Sequence, residues 1–322
     1  NVLLEVYIGD SLVTSDSITR LRVLQNVTRT EIRERGLVGT LFLPEGRSKM
    51  PAVISLTGSG GGMSEIRAAL LASHGYASLD LAYFGEENLP EALLNIPLDY
   101  FDTAIDFLKK HEAIDSERIG IIGASRGGEL SLLLGATYSD LKCVVGYVPS
   151  AFRCPGDGGP AWTSSGKPLP FIMSTGDAGV MEEIQRSIAS GEAVTFRPMF
   201  NSILSDSNAI QGTEIPVENI NGDVLVISGE DDQIWPSSDM CEMAIQRLEA
   251  NDFRHKYKHL SYKDAGHRIG LPFNPTTISE AYHPVSGMLI NLGGTPAGNA
   301  YACSDSWNQI LEFLNNSIGD SE

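Results

Sequence analysis

A strand, a tight turn and a helix are predicted in direct succession by the stretch Arg118-Ile-Gly-Ile-Ile-Gly-Ala-Ser-Arg-Gly-Gly-Glu-Leu-Ser-Leu-Leu-Leu134. The apolar run at its start is typical of a buried strand, and the run that begins at Glu129 is typical of a helix. Between them lies Gly123-Ala-Ser125-Arg-Gly127, the strand–turn–helix setting in which a serine serves as a nucleophile. The two glycines are needed because side chains there would collide with the neighbouring strand and helix. We therefore predict that Ser125 is a catalytic nucleophile.

Elements of the same kind alternate on both sides of this turn. Further buried strands are predicted at Pro51–Leu56 and Ala77–Ala82, and further strands at Leu141–Val148, Val224–Ser228 and Tyr257–Tyr262. Helices are predicted at Ser64–His74, Leu98–Lys110, Asp239–Ala250 and Ser304–Asn315. This alternation predicts the α/β class, with a mostly parallel central sheet covered by helices on both faces. In such sheets, ligands bind at the carboxyl ends of the strands.

Two regions depart from this alternation. Residues 1–45 contain strand candidates but no helix, and they predict a short antiparallel β arm that would be marginal alone. Its strands are predicted at Val2–Ile8, Ile18–Val23 and Leu37–Leu43. Residues 46–322 are predicted to form the catalytic domain, in which residues 152–220 are rich in Gly, Pro and Ser. Because the sheet pattern resumes afterwards, we interpret residues 152–220 as an excursion that covers the active site.

The composition argues against several classes of protein. The chain has 322 residues and a formal net charge of −18, without a cluster of Lys and Arg, which argues against nucleic acid as a partner. No apolar run approaches the ~20 residues that a membrane helix needs, so no membrane span is predicted. The four cysteines lack the spacing of a zinc site, and neither a metal nor an organic cofactor is predicted.

The cysteine content and the ends of the chain bear on its location. Four cysteines in this length are too few for a disulfide framework, and we expect reduced thiols in a cytosol-like compartment. No signal peptide is recognisable, and Gly319-Asp-Ser-Glu322 is not a peroxisomal address. We therefore expect a cytoplasmic protein. Because the chain starts at Asn1 and enters a strand at once, we also expect a processed or truncated N-terminus.

A nucleophilic serine needs a histidine base and a carboxylate that orients it, in the chain order Ser, acid, His for this type of turn. One late strand is followed by three adjacent acids, Glu230, Asp231 and Asp232. We prefer Asp232 as the triad acid, and Asp231 is the alternative. His267 is preferred among six histidines because it follows the last strand, with one helix and one strand between it and Asp232. The predicted triad is Ser125, Asp232 and His267.

The glycine-rich loop at residues 57–62 follows the first buried strand, and its backbone can approach a ligand closely. We predict an oxyanion hole formed by the backbone N–H of Arg126 and an N–H of this loop, that of Ser59 or Gly60. The predicted substrate-binding residues are Gly58 and Trp235. The alternative for Trp235 is that it packs beneath the acid loop, the loop of residues 229–236 that carries Asp232.

Motifs run in a fixed order over nearly the whole chain. They include Gly39-Thr-Leu-Phe-Leu-Pro44, Gly58-Ser-Gly-Gly-Gly62, Gly123-Ala-Ser-Arg-Gly-Gly-Glu-Leu130, Gly229-Glu-Asp-Asp-Gln-Ile-Trp235 and Gly266-His267. In this order they resemble the acyl-CoA thioesterase and bile acid-CoA:amino acid N-acyltransferase family of α/β-hydrolases. The resemblance implies an α/β-hydrolase fold, a Ser-Asp-His triad, and an acyl-CoA in which coenzyme A is part of the substrate.

The resemblance also bears on the N-terminal arm and on the reaction. In that family a full β-sandwich precedes the hydrolase domain, so residues 1–45 would be the last part of such a sandwich. A preceding segment, a partner segment or a second copy of the chain is then expected to cover its exposed strand edge. Members that transfer the acyl group to an amino acid have Cys as the nucleophile, whereas hydrolytic members have Ser. By this resemblance, Ser125 favours water as the acyl acceptor.

We therefore predict hydrolysis of an acyl-CoA thioester to free acid and CoA. The net charge argues against the phosphates of CoA unless a local basic cluster exists, for example around Arg67, Arg126 or Lys167. The first alternative is a carboxylesterase or lactonase that resembles dienelactone hydrolases and acts on a neutral ester. Acyl transfer to an amine or alcohol is the second alternative. The third is a non-catalytic binding protein that keeps the fold.

Overall fold

The computed structural model describes residues 2–19, 21 and 23–319. The strands are β1 (Val2–Ile8), β2 (Ser11–Ile18), β3 (Val27–Ile32), β4 (Val38–Pro44), β5 (Met50–Leu56), β6 (Ala77–Ala82), β7 (Ile96–Pro97), β8 (Ile114–Ala124), β9 (Leu141–Tyr147), β10 (Trp162–Ser164), β11 (Lys167–Pro168), β12 (Asp223–Gly229), β13 (Tyr257–Tyr262), β14 (Glu280–Tyr282) and β15 (Leu289–Asn291). The helices are α1 (Ile66–Ser73), α2 (Asp99–Lys110), α3 (Arg126–Thr137), α4 (Ala178–Ser190), α5 (Arg197–Ser205), α6 (Ser207–Ile210), α7 (Ser237–Ala250) and α8 (Pro296–Ile318). The strands predicted from Pro51 onward and the predicted helices are thus confirmed, with shifts of a few residues at their ends and a longer α8.

An eight-stranded sheet organises the chain, in the order β13-β12-β9-β8-β5-β6-β4-β3. The strands from β13 to β6 are parallel, and β4 and β3 continue the sheet in the antiparallel sense. All seven residues of β5 are buried, as expected of a strand covered on both faces. The predicted α/β class and its mostly parallel sheet are confirmed.

Alternate residues of the central strands enter two separate cores. Ile54 and Ile121 face one core, which contains apolar residues of α2, α3 and α7. Val53 and Ile122 face the other core, which contains Leu71 of α1 and apolar residues of α8. The side-chain period of two in a strand explains this division, because successive residues point to opposite faces. Both faces of the sheet are therefore packed, and the carboxyl ends of the strands remain as the place for a site.

The expected β arm at residues 1–45 is divided between two sheets. β1 and β2 form a separate antiparallel hairpin, whereas β4 pairs with β6, and β3 pairs with β4, inside the main sheet. The main sheet therefore extends across residue 45, and the division of the chain into two domains at this residue stays a prediction. The physical reason is that β4 is apolar and almost entirely buried, so it covers the edge of β6. Residues 20 and 22 of the predicted strand Ile18–Val23 lie outside the described residues.

The β1–β2 hairpin carries apolar side chains that other described residues leave exposed. More than half of the surface is exposed for Leu3, Leu4, Val6, Tyr7 and Ile8.

No helix in the described part of the chain is long and apolar enough to cross a membrane.

Two insertions stand over the carboxyl ends of the strands. The excursion at residues 152–220 contains β10, β11, the helices α4 to α6 and a 3-10 helix at Val217–Asn219. Arg153 ties it together by donating to the carbonyls of Pro170, Gly212 and Glu214. The second insertion is the antiparallel hairpin β14–β15, between β13 and α8. A bridge between Val194 and Ile290 joins the two insertions.

Candidate active site

Ser125 occupies the tight turn between β8 and α3. Its backbone has φ 56° and ψ −120°, a conformation that a non-glycine residue rarely adopts. A Cβ on Gly123 would lie 2.0 Å from the carbonyl oxygen of Gly127, and a Cβ on Gly127 would lie 2.1 Å from that of Thr57. The crowding that the sequence predicted at both glycines is therefore present. The turn presents Ser125 at the end of β8, where the first turn of α3 leaves backbone N–H groups unpaired.

The structure brings Ser125, His267 and Asp232 together. His267 Nε2 lies 2.8 Å from Ser125 Oγ, and His267 Nδ1 lies 2.8 Å from Asp232 Oδ2. Asp232 is fully buried, and its Oδ1 accepts hydrogen bonds from the backbone N–H groups of Ile234 and Trp235. Because an ionised carboxylate only accepts, His267 donates its Nδ1–H to Asp232 and leaves Nε2 to accept the Ser125 hydroxyl proton. These bonds set up the base and its orienting acid.

The two neighbouring acids have other partners. The carboxylate of Asp231 accepts from the backbone N–H of Gly294 and from the side chain of Gln233. Glu230 accepts from Ser261 at an exposed position. Asp231 therefore ties the acid loop to the chain before α8, and Asp232 is the acid that contacts the histidine.

The glycine-rich loop at residues 57–62 passes beside the nucleophile. A Cβ on Gly58 would lie 3.3 Å from Ser125 Cβ, so the loop backbone borders the reacting centre. The loop is closed by hydrogen bonds from Thr57 Oγ1 to the carbonyl of Gly62 and from the N–H of Gly61 to the carbonyl of Gly58. Arg126 begins α3 on the opposite side, so its N–H belongs to the first helical turn. The oxyanion donors Arg126, Ser59 and Gly60 stay predictions, and their loop and helix terminus flank Ser125.

A cavity of about 650 Å³ opens beside the triad. Its apolar wall includes Phe196, Ile234, Met288, Ile290 and Leu292. The β14–β15 hairpin supplies six of the described lining residues, whereas the excursion at residues 152–220 supplies only Asp157 and Phe196. The expected covering role of the excursion therefore holds in part, and the hairpin, which sequence reasoning missed, supplies more of the wall.

The structure separates the two predicted substrate-binding residues. Gly58 lines the cavity, but Trp235 is only 3% exposed and packs edge-on against His267 with a ring distance of 5.3 Å. Its indole N–H donates to the carbonyl of Val148, which anchors the ring inside the protein. This position agrees with the alternative, packing behind His267, and a substrate contact of Trp235 stays a prediction.

Two of the basic residues named as a possible local cluster, Arg67 and Arg126, have partners inside the protein. Arg126 pairs with Glu129 at 2.6 Å and donates to the carbonyl of Cys154, both buried contacts. Arg67 donates to the carbonyl of Leu56. Burial raises the pKa of Glu129, although Arg126 opposes that shift. None of Arg67, Arg126 and Lys167 lines the cavity beside Ser125, so the structure shows no basic cluster of these three residues there.

Arg268 is the cationic side chain that the sequence analysis missed. It follows His267 directly, is exposed, and lines the cavity. Among the described lining residues it is the one Lys or Arg, and Asp157 is the one carboxylate. The available signal was its position beside the catalytic histidine. The cavity therefore combines an apolar wall with one cationic and one anionic side chain.

Comparisons with known proteins extend over most of the chain. The family model described as BAAT / Acyl-CoA thioester hydrolase C terminal matches residues 96–320. A mouse protein, acyl-coenzyme A amino acid N-acyltransferase 1, is 35% identical over 302 residues, which cover 93% of this chain and 68% of that protein. Human acyl-coenzyme A thioesterase 1 is 31% identical over 296 residues, which cover 92% of this chain and 67% of that protein. The chain thus spans about two thirds of the length of these relatives.

Solved structures support the fold at low sequence identity. A putative dienelactone hydrolase from Klebsiella pneumoniae has a TM-score of 0.54 and 16% identity, and the match covers 89% of this chain and 97% of that one. An acylaminoacyl peptidase from Pyrococcus horikoshii has a TM-score of 0.58 and 16% identity, and the match covers 96% of this chain and 46% of that one. These neighbours identify the architecture as an α/β-hydrolase fold.

Proposed function

The chain belongs to the BAAT / acyl-CoA thioester hydrolase C-terminal family, and from this premise we propose that it hydrolyses the thioester of an acyl-CoA to the free acid and CoA. The observation that carries the proposal is the continuous hydrogen-bond chain from Ser125 through His267 to Asp232, beside an apolar cavity. The apolar wall suits an acyl chain, and Arg268 suits an anionic substrate despite the net charge of −18.

The mechanism follows from the positions of the three side chains. His267 Nε2 takes the proton of Ser125 as Oγ attacks the thioester carbonyl carbon. Asp232 holds the imidazole in the required tautomer and stabilises the imidazolium that forms. Backbone N–H groups of Arg126 and of the glycine-rich loop stabilise the oxyanion. His267 then gives its proton to the departing thiolate of CoA, and in the second half it activates the water that releases the acid.

Acyl transfer to an amino acid is the second candidate function. It is favoured by the identity of 35% to the mouse acyl-coenzyme A amino acid N-acyltransferase 1, which exceeds the 31% to human acyl-coenzyme A thioesterase 1. The two functions share the acyl-enzyme on Ser125 and differ only in the group that attacks it. Water and an amine would approach the same ester carbonyl, with His267 as base in both cases.

The test is a product analysis with acyl-CoAs of increasing chain length, with and without glycine or taurine, beside p-nitrophenyl esters. Hydrolysis that disappears in Ser125→Ala and is unaffected by the amine supports the thioesterase proposal. Formation of an N-acyl amino acid at the expense of free acid promotes the transferase. Turnover of p-nitrophenyl esters alone, with every acyl-CoA unreacted, refutes the proposal and favours an esterase.

A further inference from the structure

A second serine–histidine contact lies in the same cavity and has no part in the mechanism above. His283 Nε2 lies 2.8 Å from Ser59 Oγ, and both residues line the cavity beside Ser125. Ser59 belongs to the glycine-rich loop at residues 57–62, and His283 lies in the turn between β14 and β15. The contact thus joins the loop that borders the nucleophile to the hairpin that forms the cavity wall.

The direction of this hydrogen bond follows from the other ring nitrogen of His283. The backbone N–H of Ser286 donates to His283 Nδ1 at 3.2 Å, so Nδ1 carries a lone pair. The neutral imidazole therefore holds its proton on Nε2 and donates it to Ser59 Oγ. Burial lowers the pKa of His283, and Asp157, the carboxylate that faces it, opposes that shift only in part. The neutral form is the one that satisfies both contacts.

This direction leaves the hydroxyl hydrogen of Ser59 unused. A hydroxyl has one hydrogen to donate and two acceptor sites, and the bond from His283 occupies an acceptor site. Within the described part of the chain, Ser59 Oγ has His283 as its hydrogen-bond partner and no other. Since Ser59 is half-buried in the cavity lining, its hydroxyl hydrogen is available to a molecule bound there.

The loop geometry places the residue before this donor beside the reacting centre. The preceding residue, Gly58, approaches Ser125 so closely that a Cβ on it would lie 3.8 Å from Ser125 Oγ. On the other side, Pro284 leaves no room for a Cβ on Gly60, which fixes the loop against the hairpin. Ser59 thus follows the glycine that borders Ser125, contacts His283, and lines the same cavity as both.

We propose that the Ser59 hydroxyl donates a hydrogen bond to the carbonyl oxygen of the bound acyl group as negative charge develops on it, with His283 as a positioning residue. His283 saturates an acceptor site of the hydroxyl and so directs its hydrogen away from the imidazole and into the cavity. This role adds a side-chain donor to the backbone N–H donors of the oxyanion hole. It rests on the proposed function, because it assumes an acyl carbonyl attacked by Ser125.

The first test removes and restores the hydroxyl. Because the donor acts on charge that develops in the transition state, Ser59→Ala should lower kcat by about 100-fold with KM changed by about twofold or less. Ser59→Thr keeps a hydroxyl and should retain kcat within about tenfold of the original protein. If the contact between Ser59 and His283 served only to hold the hairpin in place, Ser59→Ala would instead change KM and the thermal unfolding midpoint and leave kcat intact. That result overturns the proposal.

The second test reverses the polarity of the partner. In His283→Gln, the new side chain can still donate an amide N–H to Ser59, so kcat should fall by only about threefold. In His283→Glu, the new carboxylate accepts the Ser59 proton, so kcat should fall nearly as much as in Ser59→Ala. In the Ser59→Ala background both replacements should have no further effect on kcat. An equal loss from His283→Glu with and without the Ser59 hydroxyl would attribute the loss to the new charge and overturn the proposal.

The assays are run in parallel on an acyl-CoA and on p-nitrophenyl acetate. Both substrates develop an oxyanion on attack by Ser125, so the loss in Ser59→Ala is expected with each of them. Turnover of the ester without turnover of the acyl-CoA would refute the proposed function, while the Ser59 comparison on the ester still decides the present inference.

Discussion

Replacing Asp232 by asparagine tests the direction of every hydrogen bond in the triad. In the structure, Asp232 Oδ1 accepts from two backbone N–H groups at 2.9 and 3.3 Å, and Oδ2 faces His267 Nδ1 at 2.8 Å. An asparagine keeps this shape, and the two backbone donors hold its oxygen at the Oδ1 position. Its NH₂ group must then face Nδ1 and donate to it. The imidazole proton moves to Nε2, where it points at Ser125 and prevents His267 from acting as a base.

The expected loss follows from this change of tautomer. Residual catalysis then depends on the oxyanion donors and on substrate binding, so kcat should fall by about 10⁴-fold, as in other triads where the wrong tautomer is imposed. At about 1.4 kcal/mol per factor of ten, this is about 5 to 6 kcal/mol of lost transition-state stabilisation. Thermal unfolding should be little changed, because the substituted side chain is neutral and keeps both backbone contacts.

The assay compares Asp232→Asn with Asp231→Asn in steady-state thioester hydrolysis. Asp231 is a matched control because its carboxylate also accepts a backbone N–H, that of Gly294, but does not contact His267. We expect Asp231→Asn to stay within about tenfold of the original kcat, since it touches no reacting group. The reasoning is refuted if Asp232→Asn keeps more than about a tenth of the activity, or if the two variants lose activity equally.

Three further predictions concern stability and folding. Glu129→Ala leaves Arg126 as a buried charge without its partner carboxylate. The free energy of unfolding should therefore fall by about 3–5 kcal/mol in denaturant titrations. A loss below about 1 kcal/mol would show that the pair is dispensable. Gly123→Ala should prevent folding to a soluble protein, because the new Cβ would lie 2.0 Å from a backbone oxygen, whereas Gly270→Ala meets nothing within 4 Å and should leave the yield unchanged. Burial raises the pKa of Asp80 to about 6, above its ordinary 3.8, because the folded protein favours the protonated carboxyl. The stability gained from this preference is fully present below about pH 4 and is lost as the pH rises through about 6. Relative to Asp80→Asn, the original protein should therefore lose about 3 kcal/mol of stability between pH 4 and pH 7 in unfolding titrations, and a difference independent of pH would contradict this assignment.

The sequence predicted the parts of the fold that depend on local pattern. Short apolar runs such as β5 and β12 are recognisable because a strand buried on both faces leaves no polar alternation. The triad was predictable for the same reason: each of its residues follows a strand end, and the carboxyl ends of parallel strands meet at one edge. Ser125 and Asp232 therefore meet His267 in space, although Ser125 lies 142 residues and Asp232 lies 35 residues before it in the chain.

The parts that were missed depend on contacts between distant segments. β4 is an apolar strand like the others, and only its antiparallel pairing with β6 places it in the main sheet. β14 and β15 have three residues each, too few for a periodic pattern. Ser59 and His283 are 224 residues apart, and nothing in either local sequence indicates that they touch. Trp235 is apolar with one polar group, so its composition suits a cavity wall and a buried packing position equally.

The β14–β15 hairpin forms part of the cavity wall from outside the framework that holds Ser125, Asp232 and His267. It supplies Met288 and Ile290 to the cavity wall, yet neither of its strands pairs with the central sheet. His267 lies before the hairpin in the chain, and α8 follows it. Substitutions in this one contiguous segment can therefore reshape the acyl site without disturbing the buried strands. Selection for a new acyl group, or a library of variants made for that purpose, can be confined to residues 280–291, with His283 kept unchanged.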